Sequence, residues 1–368
     1  MVCKHFGKCG SCKLHEKSYS DGLADKVETN RALFDGLYQG GFDIVESPTE
    51  HFRYRAEFRI WHSDGVISYA MNGNNKEVVL IEECPIVSQN IYDLMPKLLT
   101  ALESQKNLSE RLFSIEFLST QSGDMLVTLI YHRKLEEDWI EATKELEKQF
   151  SIKIIGRSKK QKIVLSQESV HEDLMVDKIY HYEFFENGFT QPNPKVNQEM
   201  IAWVMDGVAN SQDLLELYCG AGNFTLPLST KFEKVLATEV AKVSIKSAQR
   251  NLELNNITNV EFARLSAAEM GEAYDKVRAF NRLSHLTLDD YNFSHIFVDP
   301  PRAGLDEVST PLAQRFDNIL YISCNPITLK RDLEELTKTH EIVKFAFFDQ
   351  FAYTHHIESG VILRKKSS

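Results

Sequence analysis

Three short segments of this sequence carry residue types that do chemistry: Asp299-Pro-Pro-Arg302, Ser323-Cys-Asn-Pro326 and His355-His-Ile-Glu-Ser-Gly360. A cysteine thiolate is a strong nucleophile. Cys324 stands where a short apolar strand around Ile319 to Tyr321 meets a helix expected over Leu329 to Thr337, a position that favours ionisation. Glu358 is the acid nearest the last strand and can accept a proton. Asp299 follows the apolar run Ile296 to Val298. The two prolines after it stiffen a loop that can hold a flat base-sized slot, with Asp299 against the edge of a pyrimidine. A lone cysteine at a strand end is more often a buried structural thiol, and the accompanying acids are what argue for chemistry here. The reaction that needs such a set is methylation of carbon 5 of uracil. That carbon is too poor a nucleophile unaided. Thiolate addition to carbon 6 converts it to an enolate, and a base must later remove the carbon 5 proton before the thiol departs.

The methyl donor has a candidate loop in Asp213-Leu-Leu-Glu-Leu-Tyr-Cys-Gly-Ala-Gly-Asn-Phe-Thr225, which reads as a strand, a Gly-rich turn and a helix. Gly220 and Gly222 let backbone approach a ligand closely. A dinucleotide fingerprint would carry a third glycine where Thr225 stands, so a smaller nucleoside fits better than a pyrophosphate. Glu239, at the end of the next strand, can accept both ribose hydroxyl hydrogen bonds. Such loops are characteristic of S-adenosylmethionine sites. A Gly-rich turn alone is also a plain tight connection, and it is the acid at 239 that favours the ligand. Cys219 reads as a small buried filler.

Elements must bring these segments to one place. After Asn187 the pattern alternates helices with short apolar strands at Leu214 to Leu217, Val235 to Thr238, Val260 to Ala263, Ile296 to Val298, Ile319 to Ser323, Lys344 to Phe348 and Val361 to Leu363. This implies an α/β, doubly wound, Rossmann-like sheet, whose ligands lie beyond the carboxyl ends of the strands. The front half shows a helical stretch from Lys13 to Tyr38, strands at Phe52 to Trp61, Leu112 to Thr120, Met125 to His132 and Ile152 to Leu165, and helices at Ile91 to Leu102 and Leu135 to Phe150. It reads as an α+β region with an antiparallel sheet. The expected division is residues 1–186 for this half and 187–368 for the methyltransferase half.

The chain has 368 residues, 43% of them hydrophobic and 26% charged, which suits two folded domains. It has no run apolar enough to span a membrane and no secretory signal in MVCKHFGKCG, so a cytoplasmic location is expected, with its six cysteines reduced. A net charge of -11 argues against indiscriminate coating of nucleic acid. Local positive surface comes from Arg53, Arg55 and Arg59, which alternate with the apolar row Phe52 to Ile60, and from Lys153, Arg157, Lys159, Lys160 and Lys162. Both sets are candidate phosphate contacts, the alternative for a charge run being a solvated face.

These residues resemble the tRNA (uracil-5-)-methyltransferase family, within the RNA 5-methyluridine methyltransferases, through FRYRAEFRIWH, FTQPN, LLELYCGAGNF, FNRL, FVDPPRAGLD, YISCNP and FDQFAYTHHIESG. The match covers nearly all the chain after Arg53. It implies that Gln191, Tyr218, Asn223, Glu239 and Asp299 line the cofactor and target-base sites, that Cys324 is the nucleophile and Glu358 the proton acceptor, and that Phe189 faces a flipped base. It implies an N-terminal RNA-binding half and, as partner, the T-arm of tRNA or another RNA with a T-loop, whose uridine must be flipped out of its stack. A monomer is the default expectation. Cys3, Cys9 and Cys12, with Cys84 in Glu83-Cys-Pro-Ile86, are similar to the four thiolates that hold a [4Fe-4S] cluster in ribosomal-RNA members. Zinc or unmetallated thiols are the alternatives. The cysteines keep a 23S ribosomal-RNA substrate open as a second reading, and a tRNA-folding chaperone with incidental methylation as a third.

Overall fold

The computed structural model describes residues 1–367. Its C-terminal half is built on an eight-stranded sheet in the order Phe42–Val45, His340–Phe348, Glu358–Lys365, Asn318–Ser323, Phe293–Val298, Asp213–Leu217, Lys234–Thr238, Val260–Ala263. From Asn318–Ser323 through Val260–Ala263 neighbouring strands run parallel, while Glu358–Lys365 is antiparallel to both its neighbours. Buried side chains on both faces explain why these strands read as continuous apolar runs. The α/β, doubly wound, Rossmann-like sheet expected from the alternation is the one observed.

The edge strand Phe42–Val45 belongs to the sequence region expected to lie wholly with the front half, yet it pairs in parallel with His340–Phe348. Phe42 stacks on Phe347 with ring centroids 5.1 Å apart, and Trp203 donates its indole N–H to Asp43 at 2.8 Å. The hairpin Ser169–Met175 and Ile179–Phe185 likewise packs Leu174, Tyr180 and Tyr182 into the C-terminal core. The chain therefore crosses between the two halves more than once. The expected helix Lys13 to Tyr38 is shorter, Tyr19–Arg31, capped by the Ser18 side chain on Asp21 N–H.

The front half is a seven-stranded sheet in the order Val78–Ile81, Val66–Asn72, Arg55–Ser63, Leu112–Ser119, Met125–Tyr131, Lys153–Ser158, Gln161–Val164. It is antiparallel except where Met125–Tyr131 and Lys153–Ser158 run parallel across the helix Glu137–Phe150. The run expected as one strand, Ile152 to Leu165, turns back at Lys160, whose φ of 60° marks a tight reversal. The apolar side of Arg55–Ser63, with Ala56, Phe58 and Ile60, packs against the helix Gln89–Glu103 and its neighbours.

Candidate active site

The register of the sheet gathers the chemistry. Leu217 pairs with Thr238 on one side and Val298 on the other, so Tyr218, Glu239 and Asp299 leave the sheet side by side. Val298 in turn pairs with Tyr321, and Ser323 lies opposite Ser359 in the antiparallel ladder. Cys324, one step beyond Ser323, and Glu358, one step before Ser359, are therefore neighbours at the same edge. Residues from four separate strand ends converge because parallel strands present their carboxyl ends together.

Within the Gly-rich turn, Tyr218, Gly220 and Gly222 all have positive φ, 61°, 55° and 87°. A tyrosine in that region is strained and is held there by its surroundings, including a 3.1 Å hydrogen bond between its hydroxyl and Ser309. At Gly222 the φ of 87° is what calls for glycine; a Cβ there would meet only the tip of the Leu226 side chain at 2.8 Å. The carboxylate of Glu239 accepts from Gly220 N–H at 3.2 Å and Ala241 N–H at 2.8 Å. Asn223 and Asn197 exchange side-chain hydrogen bonds at 2.8 and 2.9 Å, which fixes the loop. One cleft is lined by Phe189, Gln191, Tyr218, Gly220, Asn223 and Asp299 together. Cys219 is buried, as expected of a filler.

Several carboxyl groups concentrate in and beside this cleft. Burial pushes Asp299 up to about 7 and, with the nearby Asp299 charge, Glu358 up to about 8. Burial followed by Glu358 and Asp299 raises the Cys324 thiol to about 11, and Arg302 opposes the rise in both Cys324 and Glu358. Glu216, which the sequence reading passed over, is buried in the same cleft, also pushed up by burial to about 8, and its Oε2 has no hydrogen-bond partner. Its signal was present: an acid between leucines inside the strand Asp213–Leu217, where its neighbours Leu214, Leu215 and Leu217 are all apolar. A sulfonium, as in adenosylmethionine, supplies the positive charge that these carboxyl groups lack, so the residues present fit that ligand.

The loops around Cys324 are tied to one another. Asn325 caps the helix Pro326–Leu336 and donates from Nδ2 to the Arg302 carbonyl at 2.9 Å. Arg331 donates to the carbonyls of Ala303 and Leu305. Gln191 accepts a 2.7 Å hydrogen bond from Gln350, in the loop that leads to Glu358.

The candidate RNA contacts divide. Phe189 is 75% exposed at the mouth of the cleft. Arg55, expected to face phosphates, instead grips Glu116 and donates to the carbonyls of Glu186 and Gly188, and thereby holds the loop that carries Phe189. Arg53 is turned towards Cys12 and Cys84, and burial lowers its pKa. Arg59 is exposed, lies over the Phe113 ring at 5.8 Å, and makes no ion pair among the described residues. In the lysine-rich run, Lys153 pairs with Asp124, Arg157 with Glu186, and Lys162 with Glu168 and Glu186. Asp124 and Glu186 lie about thirty residues away and Glu168 just beyond the run, so a count within the run missed them, and only Lys159 and Lys160 remain without acidic partners among the described residues.

Cys3, Cys9, Cys12 and Cys84 line one cavity between the N-terminal segment and the front sheet. Four thiolates around a single zinc ion must lie within about 4 Å of one another. Among the described residues no group of three or more His, Cys, Asp or Glu side chains is placed to hold a metal ion. The cysteines thus share a cavity without forming a ligand group, and neither zinc nor an iron-sulfur cluster gains support from their placement. The paired histidines His355 and His356 likewise form no metal group.

The profile of the tRNA (uracil-5-)-methyltransferase family matches residues 18–366. The chain is 55% identical over 372 residues to the tRNA/tmRNA (uracil-C(5))-methyltransferase of Aliarcobacter butzleri, covering 99% of each chain, and 49% identical over 370 residues to that of Sulfurimonas denitrificans, covering 100% of each. Its fold is similar to the crystal structure of Pyrococcus abyssi tRNA (uracil-54, C5)-methyltransferase in complex with S-adenosyl-L-homocysteine, with a TM-score of 0.75 and 21% identity over 96% of this chain and 86% of that one. The chain belongs to the tRNA (uracil-5-)-methyltransferase family.

Proposed function

We propose that this enzyme methylates carbon 5 of a uridine in the T-loop of tRNA, with Cys324 as nucleophile, Glu358 as base and S-adenosylmethionine as methyl donor. The observation that carries the reading is the adjacency of Cys324 and Glu358 at the sheet edge, beside Asp299 and the cleft of the Gly-rich turn. The donor brings an electrophilic methyl on a positively charged sulfur. In this reading Glu239, which accepts from Gly220 N–H, takes the donor's ribose hydroxyls, and Gln191, Tyr218 and Asn223, which line one cleft, surround the rest of it. Phe189 offers an exposed ring at the cleft mouth for a base taken from its stack.

The Cys324 thiolate adds to carbon 6, and the electrons of the 5,6 double bond move to an enolate. Carbon 5 then takes the methyl, and the donor's carbon–sulfur bond breaks to leave a neutral thioether. Glu358 removes the carbon 5 proton, the freed pair restores the double bond, and the Cys324 thiolate is expelled. Burial, more than the neighbouring carboxyl groups, holds back the ionisation of Cys324 and Glu358, and Arg302 opposes that in both; a positively charged donor favours the Cys324 thiolate, which must form before the methyl is transferred.

The relatives' names favour tRNA over ribosomal RNA. A test is transfer of radiolabelled methyl to unmodified tRNA and to ribosomal-RNA fragments. Label in tRNA that disappears when the T-loop uridine is changed to cytidine is expected; label confined to ribosomal RNA would overturn the tRNA assignment.

A [4Fe-4S] cluster is the second part of the reading: Cys3, Cys9, Cys12 and Cys84 line one cavity and are the four thiols that such a unit takes, one per iron. Its role would be to pin the N-terminal segment. Anaerobic purification followed by iron and sulfide analysis tests this, and a metal-free, colourless, active protein would sink it.

A further inference from the structure

Lys26 lies on the helix Tyr19–Arg31, far in sequence from the candidate catalytic residues, and is buried. Its ammonium donates to Asp349 Oδ1 at 2.5 Å, to the Phe351 carbonyl at 3.2 Å and to the His356 carbonyl at 2.9 Å. A lysine has three N–H donors, and these three bonds use all of them. The three acceptors belong to one loop, the connection between the strands His340–Phe348 and Glu358–Lys365. Asp349 immediately follows the first strand, and His356 stands two residues before Glu358. The ammonium therefore grips the loop at both ends.

The surroundings strengthen the grip. The second oxygen of Asp349 accepts from the Tyr19 hydroxyl at 2.9 Å, and that hydroxyl accepts from Ser47 N–H at 2.7 Å. Within the loop, the Tyr353 carbonyl accepts from Lys13 and Leu14 N–H at 2.8 and 3.0 Å. Burying an ion pair is costly, and an apolar residue would pack a helix against a sheet more cheaply. What an apolar residue cannot do is bond two backbone carbonyls and a carboxylate at once.

We propose that Lys26 is a positioning residue for the Glu358 base: it holds both ends of the 349–356 loop so that the Glu358 carboxylate meets the carbon 5 proton of the Cys324-bound pyrimidine. The inference rests on the roles given above to Cys324 and Glu358. Its consequence is specific to one step. Loss of the ammonium leaves Cys324 able to add and the methyl able to transfer, but slows proton removal, so the covalent RNA–enzyme adduct persists.

The experiment compares Lys26→Met, the double variant Lys26→Met with Asp349→Asn, Glu358→Gln and wild type, all with tRNA and saturating adenosylmethionine. Adduct is read on denaturing gels and product by label release. The double variant avoids leaving Asp349 as an unpaired buried charge, so it keeps the test available if the single variant does not fold. Folded Lys26 variants that accumulate adduct as Glu358→Gln does, with turnover slowed by up to about 100-fold, are the expected result for a misplaced base. A folded double variant that turns over at the wild-type rate, or that loses adduct and product in equal proportion, would overturn the positioning role. If Glu358→Gln itself accumulates no adduct, the assigned roles fail first, and this inference falls with them.

Discussion

Cys324 and Glu358 leave the sheet as neighbours, one step beyond the Ser323 to Ser359 pair of an antiparallel ladder. Their adjacency is set by backbone register, so either side chain can be changed without moving the other. Cys324→Ala is expected to abolish both covalent adduct and methylated product. Glu358→Gln is expected to keep the adduct while turnover falls by about 10²- to 10⁴-fold, the usual worth of a general base. Single-turnover assays resolved on denaturing gels separate the two, and equal adduct loss in both variants would refute the division of labour.

The buried carboxyl groups predict a pH-dependent response to ligand. Burial raises Glu216 and Glu358 to about 8 and Asp299 to about 7 in the folded protein, above the values of about 4 expected when unfolded. The folded state then holds more protons than the unfolded state between about pH 4 and pH 8, so their contribution to stability is present at low pH and lost as pH rises through that window. A sulfonium favours the ionised forms and offsets the loss. Adenosylmethionine should therefore raise the melting temperature more at about pH 8 than at about pH 6, while the uncharged thioether adenosylhomocysteine shows a weaker pH trend. Parallel shifts for both ligands in a thermal-melt series would contradict this account.

What could be read from the sequence follows from range. The position of Cys324, Asp299, Glu239 and the Gly220 turn at one sheet edge was legible because each lies just after a short apolar strand, and alternation with helices places all such ends together. Phe42–Val45 was not, since only four residues form it and its partner lies some three hundred positions later. Alternation along Arg55–Ser63 correctly separated the core side from the other, but could not tell that Glu116 and the Gly188 carbonyl would occupy Arg55. The same holds for Lys153, Arg157 and Lys162, whose partners Asp124 and Glu186 come from loops outside the run. Lys26 carried no local signal at all, because its meaning depends on a loop at the far end of the chain.

Arg55 links the strand Arg55–Ser63 to the loop of Phe189, and this predicts a combined stability and substrate effect. Arg55→Met removes a charged donor set and leaves Glu116 half-buried without its partner, a loss of about 1–3 kcal/mol. The midpoint of urea unfolding should fall accordingly. Because the Glu186 and Gly188 carbonyls are released as well, the KM for tRNA should rise more than that for adenosylmethionine. A variant of normal stability, or one with unchanged KM for tRNA, would show that Phe189 is held by other contacts.

Glu239 gives the sharpest test of where the donor sits. Its two oxygens already accept from Gly220 and Ala241 N–H, which orients the carboxylate at the strand end with lone pairs remaining for ribose hydroxyls. Hydrogen bonds to a charged acceptor contribute roughly 1.5–3 kcal/mol each. Glu239→Gln keeps one acceptor oxygen, whereas Glu239→Ala keeps none. The dissociation constant for adenosylmethionine, measured by calorimetry, should therefore rise by about 10-fold in the first and by about 100-fold or more in the second. Adenosine lacking its ribose hydroxyls, tested as a competitor, should lose affinity for wild type but not for Glu239→Ala. Equal discrimination by both proteins would place the ribose elsewhere in the cleft.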